Sequence, residues 1–249
     1  MKLIISIVLF ISFSIVSLCQ NITSDTLCSG NRILFQQEIN KKVDDTTYND
    51  KRIVTAEICH IKRKTGARFE FGISSYYYGD KTSNWLGNHG GPNFNFIFLY
   101  DKVNIGFRFK PWTINPISEL SFNEVLLPTY ARLNPIKIDY YIGYSFDFRG
   151  NISLLPCIGY NRSIFTVINE DELQQIYSIP SVGGVTMDLT FDKYFDLGEF
   201  NYFSIFGRIG YTFIDYSNVH DELDSGLFEW NLGIAFKGFF TKFKIDTVE

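Results

Sequence analysis

The sequence has no long basic run: 23 Lys and Arg stand against 27 Asp and Glu over 249 residues, a formal charge of −4. Nucleic-acid binding needs a basic stripe or patch to neutralise phosphates, so that class is set aside. No stretch rich in Pro, Gly or Ser divides the chain, which reads as one domain plus a leader. Cysteines are few, and Cys28, Cys59 and Cys157 show no Cys-x-x-Cys spacing, so neither a metal nor another cofactor is expected. With Cys19 removed in a leader the count is odd, which argues against a disulfide framework, although Cys28 and Cys59 can pair in an oxidising compartment.

What is plentiful is aromatic. The chain has 25 Phe, 15 Tyr and 3 Trp, 17% of all residues, whereas charged residues make up only 20%, below the usual quarter or so. The N-terminus has a secretory pattern, with Lys2 followed by an uncharged run from Leu3 to Leu18. That run is short for a membrane span, so residues 1–19 are expected to be a signal peptide cut between Cys19 and Gln20. An uncleaved anchor is one alternative. Lipidation of Cys19 is another, because Val16-Ser17-Leu18-Cys19 loosely resembles a lipobox.

From Arg68 onward the chain alternates with period two, the signal of half-buried strands, in eight segments. In the first, Phe69, Phe71, Ile73 and Tyr77 share a face opposite Arg68, Glu70 and Gly72. The clearest sets Ile136, Ile138, Tyr140, Ile142 and Tyr144 against Lys137, Asp139 and Gly143. The others cover 93–100, 103–110, 152–160, 185–191, 203–213 and 228–236, and Pro156 marks the 152–160 segment as weak or bulged. Long connections (79–91, 111–135, 161–180, 215–227) mix with tight turns at 101–102 and 149–151 and a medium link at 193–201. This is the rhythm of antiparallel strands threaded through a bilayer, with short periplasmic turns and longer outer loops.

The apolar faces contain no charge and about half their residues are aromatic. The lumen of an eight-stranded barrel is just wide enough for side chains or one small ligand, too narrow for that many rings, so the apolar face is expected to point into lipid. The interior then receives Arg68, Glu70, Arg108, Lys110, Lys137, Asp139, Asp147, Asp188, Arg208, Glu229 and Lys237, a near-balanced set that must pair to offset desolvation. The expected fold is an all-β, antiparallel, up-and-down transmembrane β-barrel of eight strands over residues 68–240. Segment 20–67 is an N-terminal piece whose possible hairpin would raise the count to ten, and 241–249 is a C-terminal tail.

The leader, the aromatic alternation and the segment Phe228-Glu229-Trp230-Asn231-Leu232-Gly233-Ile234-Ala235-Phe236-Lys237-Gly238-Phe239-Phe240 resemble the small outer-membrane β-barrel proteins of Gram-negative bacteria, particularly poorly characterised ones of Bacteroidetes. The resemblance implies an outer-membrane location. It also implies contact with membrane lipid and lipopolysaccharide, and insertion by barrel-assembly machinery that reads a terminal aromatic, a part Phe240 can fill.

Catalytic groups are scarce. His220, beside Asp221 and Glu222, and His89 fall in predicted outer loops, but no nucleophile accompanies them. The acidic runs 170–172 and 221–224 lack the spacing of a Ca²⁺ loop. Gly87-Asn88-His89-Gly90-Gly91-Pro92 lacks the Lys-Ser/Thr of a phosphate loop. The loop 111–135 holds four of the seven prolines and is expected to be ordered, as a lid, a cap or a recognition surface presenting Trp112 and Tyr130. The reading is a non-enzymatic envelope-structural or surface-interaction protein. A narrow channel, an outer-membrane hydrolase and a soluble lipocalin-like carrier are the alternatives.

Overall fold

The computed structural model describes residues 26–43, 46–122, 125–168 and 179–248. Strands β1 (Thr26–Val43), β2 (Thr46–Tyr78), β3 (His89–Tyr100) and β4 (Val103–Pro111) precede a small hairpin of β5 (Leu120–Phe122) and β6 (Val125–Leu127). Then come β7 (Arg132–Tyr144), β8 (Phe146–Phe148), β9 (Ile152–Ile168), β10 (Val182–Gly198), β11 (Asn201–Asp215) and β12 (Ser225–Val248). One short helix, α1 (Asp80–Leu86), lies between β2 and β3. No helix among the described residues is long and apolar enough to cross a membrane.

The strands pair antiparallel in the order β2-β12-β11-β10-β9-β7-β4-β3, and β3 pairs back onto β2, closing an eight-stranded barrel. All eight ring strands coincide with the alternating segments of the sequence. Closure removes the sheet edges, which in hydrocarbon would leave backbone groups without partners. Pairing in register puts the aromatic residues of neighbouring strands side by side on the outside. The Phe69 and Phe96 rings lie 5.1 Å apart, Phe71 and Phe94 5.9 Å, and Phe203 and Phe236 5.4 Å. Phe69, Phe71, Phe94, Phe96 and Phe236 are exposed, Phe203 is half-buried, and Ile205, Ile209, Leu232 and Ile234 are exposed as well. The soluble-carrier arrangement, with this face inside, is therefore not the one formed.

The ends of the barrel differ. At one end the strands are joined by tight turns, where Asp101 and Asn151 take positive φ values of 55° and 57°, a conformation that Asp and Asn tolerate better than most residues. At the same end the first and last ring strands do not stop. β2 begins at Thr46 and β12 continues to Val248, pairing as far as Thr55 with Val248, while β1 pairs with the first half of β2. The segment set apart by sequence as 20–67 thus contributes a hairpin that stands below the ring without enlarging it, and residues 241–248 are strand rather than tail. Both were hard to see because the period-two alternation of the sequence fades before Arg68 and after Phe240. Cys59 is disulfide-bonded, and the residue opposite it in the ladder is Cys28. Pro156 sits within a long β9, and the partner ladder is interrupted near it, with β7 ending at Tyr144 and β8 resuming at Phe146.

Phe71 lies at mid-strand, opposite Ile234 on one side and Phe94 on the other. A Phe71→Arg substitution places a guanidinium in hydrocarbon, and the unfolding free energy in lipid vesicles should fall by about 2–4 kcal/mol, read from urea titration. An unchanged urea midpoint would show that this face is not in lipid.

Candidate functional site

Alternation turns ten charged side chains into the lumen, all of them buried: Arg68, Arg108, Lys110, Lys137 and Arg208 with Glu70, Asp139, Asp188, Asp192 and Glu229. Nine of these form one chain of alternating sign. Arg68 grips Asp192 through both terminal nitrogens, at 3.0 and 2.5 Å, and reaches Glu70 Oε1 at 2.8 Å. Glu70 Oε2 accepts from Arg208 at 2.5 Å, and Arg208 Nε lies 3.7 Å from Asp188. Asp188 accepts from Arg108 at 2.9 Å, Arg108 contacts Asp139 at 3.3 Å, and Lys110 bridges Asp139 and Glu229 at 2.6 Å each.

Neutral donors complete the carboxylate shells. Asn95 donates to Glu70 at 2.6 Å, Asn161 to Asp139, and Asn231 to Glu229 at 2.6 Å. Buried charge is stabilised by pairing and by further hydrogen bonds; every member of this chain is paired, while Asp188 Oδ1 and one nitrogen each of Arg68, Arg108 and Arg208 make no hydrogen bond among the described residues. Small residues make the fit possible. A Cβ added at Gly233 would stand 2.8 Å from the inward Phe206 ring, and one at Gly72 3.3 Å from it. Beside Arg108, Lys110 and Glu229 a void of about 10 Å³ remains, at most one water.

The tenth charge, Lys137, is held differently. Its Nζ has no hydrogen-bond acceptor among the described residues and lies 4.1 Å from the Tyr76 ring centroid, 4.8 Å from that of Tyr78 and 5.0 Å from that of Trp112. An ammonium among three ring faces is stabilised by their quadrupoles. These rings are the floor of an apolar cap assembled from the long connections, with Trp85 and Leu86 of α1, Leu120, Phe122 and Leu127 of the small hairpin, and Tyr216, Val219 and Leu223 before β12. Asp224 ties the cap together by accepting from the Lys81 and Thr82 amides and the Thr82 hydroxyl at 2.8–3.1 Å. Partial burial opposes its charge, but these hydrogen bonds outweigh that effect and hold its pKa below the ordinary carboxylate value. The proline-rich loop contributes Trp112 to this packing and leaves Tyr130 exposed.

Of the residues named from sequence, Asp147 and Lys237 are half-buried and lie at the turn end, outside the ionic chain. Cys19 and Gln20 lie outside the described residues, as does the acidic run 170–172. Asp192 was missed because the alternation was followed only to Phe191, whereas β10 runs on to Gly198 and Asp192 shares the inward parity of Asp188. His220 and His89 are both held by local contacts. His220 donates from Nε2 to the Ser121 carbonyl at 3.1 Å and accepts at Nδ1 from the Glu222 amide at 3.2 Å. His89 lies against Tyr76, Tyr78 and Trp112, with Nδ1 at 3.1 Å from the Gly87 carbonyl.

A closed barrel with an apolar outside and a filled polar inside is a transmembrane β-barrel. No family model and no curated protein matches the sequence. Among solved structures the chain is similar to Neisserial surface protein A, at 8% identity and a TM-score of 0.43, over 71% of this chain and 97% of that one. It is also similar to the outer membrane protein OprG from Pseudomonas aeruginosa, at 12% identity and a TM-score of 0.43 over 71% and 96%. The attachment invasion locus protein Ail of Yersinia pestis gives 12% identity and a TM-score of 0.40 over 70% and 97%. The barrel assignment stands on this chain's own strand pairing.

Arg208→Leu leaves Glu70 and Asp188 short of a cation in a dry lumen and should cost about 3–5 kcal/mol. The double variant Glu70→Leu, Arg208→Leu removes a cation and an anion together and should recover much of that loss. Urea unfolding in vesicles measures both, and equal losses in the single and double variants would deny the coupling.

Proposed function

We propose that the chain is a non-enzymatic barrel of a Gram-negative outer membrane, exported by the leader ending at Cys19, with an envelope-structural or surface-interaction role. The observation that carries this reading is the closed lumen, in which a charge-balanced set of ten buried ionic side chains fills the middle and an apolar cap covers the long-loop end. A channel needs a continuous wet path, and the packed network leaves none. A hydrolase reading finds no Ser, Thr or Cys side chain hydrogen-bonded to either loop histidine among the described residues, and both histidines are engaged in local hydrogen bonds.

The surface-interaction role rests on the cap's outer side, where Ile117 and Tyr130 are 65% and 77% exposed. Apolar side chains held rigidly at a membrane surface suit contact with another macromolecule or with lipopolysaccharide. The aromatic belt meets membrane lipid. Insertion falls to the barrel-assembly machinery, to which β12 offers the outward Phe240. Planar-bilayer recording of the refolded protein should show no steady conductance above the bare membrane, and a large persistent conductance would overturn the plugged reading.

A further inference from the structure

Charge inside the barrel is unevenly distributed along its axis. The ten buried lumen charges cancel, five of each sign. Below them, at the tight-turn end, the barrel opens into a cavity of about 390 Å³, within the size range of small-molecule sites. Six cationic residues line it: Lys62, Arg63 and Lys64 on β2, Lys102 in the β3–β4 turn, Arg149 in the turn before β9, and Lys237 on β12. Among the described residues that line it only Asp101 and Asp147 are acidic, a formal excess of four positive charges in a concave site.

The walls sharpen this imbalance. Lys62 Nζ lies 4.1 Å from the Phe239 ring centroid, while Lys237 Nζ stands 4.9 Å from the Tyr194 ring and 5.1 Å from that of Phe239. Both ammonium groups rest on aromatic faces, and Lys237 is also attracted by Asp147. Rings support a cation without neutralising it, so its field still extends into the cavity. Tyr194 also closes the cavity's roof: its hydroxyl accepts from Arg68 at 2.7 Å, joining the wall to the ionic chain above. The apolar side of the same roof holds Ile97, Leu99 and Leu155, with Phe239 packed against them.

We infer that this cavity is a binding site for a small multivalent oxyanion carrying phosphoryl groups. A single carboxylate would offset one of four excess charges, whereas a pyrophosphate-like group offers several anionic oxygens to Lys and Arg donors arriving from four separate elements. The site rests on the outer-membrane reading only for its compartment, since the tight-turn end then faces the periplasm. Two sources share this chemistry: a soluble phosphorylated molecule and the headgroup of an anionic lipid.

The test uses the full chain refolded in neutral detergent micelles, with sodium pyrophosphate as titrant in a calorimeter. Saturable binding of one pyrophosphate per chain is expected, weakening as salt rises. Lys62→Gln with Lys237→Gln should weaken it roughly tenfold or more, since each removes a charge-assisted hydrogen bond. Lys81→Gln, on the helix at the opposite end, should leave it unchanged. Heat-modifiable gel mobility reports folding of each variant separately, so loss of the barrel and loss of the site are told apart. If the first pair does not fold, Lys102→Gln with Arg149→Gln, both in turns, carries the same test. Phosphatidylglycerol vesicles that displace pyrophosphate where phosphatidylcholine vesicles do not would assign the site to a headgroup; failure of both to displace it assigns the site to a soluble anion. No binding, or equal weakening by the Lys81→Gln control, overturns the inference.

Discussion

Water cannot reach and solvate charge in the middle of a narrow barrel, so an ionised group that alternation turns inward must find a counter-charge or, as Lys137 does, aromatic faces within the protein. The rest of this structure follows from that constraint. Arg68, Glu70, Arg208, Asp188, Arg108, Asp139 and Lys110 satisfy it as a continuous alternating series that ends on Asp192 and Glu229. The series draws on β2, β4, β7, β10, β11 and β12, so it works only if those strands keep their registers. A slip of one residue would send the arginines into lipid and the phenylalanines into the lumen, which gives the barrel a single sharply preferred arrangement. Buried ion pairs contribute little net stability against an apolar filling, and specificity of register is the role they are best placed to serve in this barrel.

Much of the ring was legible in the sequence because period-two alternation is a local signal, and the lipid face tolerates no charge to interrupt it. The pairing of interior charges was not legible. Glu70 meets Arg208 across 138 positions of sequence, and only barrel closure brings them together. Asp192 belongs to the same parity as Asp188, yet it falls just beyond the segment that the apolar residues delimit. The hairpin below the ring was blurred for the opposite reason: charged residues interrupt the alternation of the sequence before Arg68 and after Phe240, so the local signal fades where the strands continue. The loop prolines announced order, but that Trp112 turns inward to cage Lys137 depends on the packing of three other connections.

The two ends divide the labour. The long connections form an apolar lid whose floor is the aromatic cage of Lys137, sealing the lumen from one side. The tight turns leave the other end open, and the positive charge that the lumen does not use collects there. A chain with a mild net negative charge therefore presents a neutral middle and a basic mouth, a distinction that composition alone conceals.

The dry, paired lumen is the central claim, and side-chain hydrogen exchange tests it most directly. In the folded barrel in lipid nanodiscs, the guanidinium N–H resonances of Arg68, Arg108 and Arg208 should persist long after transfer to deuterated water, while those of the exposed Arg63 and Arg149 vanish at once. Loss of all five sets together would mean that water fills the barrel, which contradicts a dry lumen.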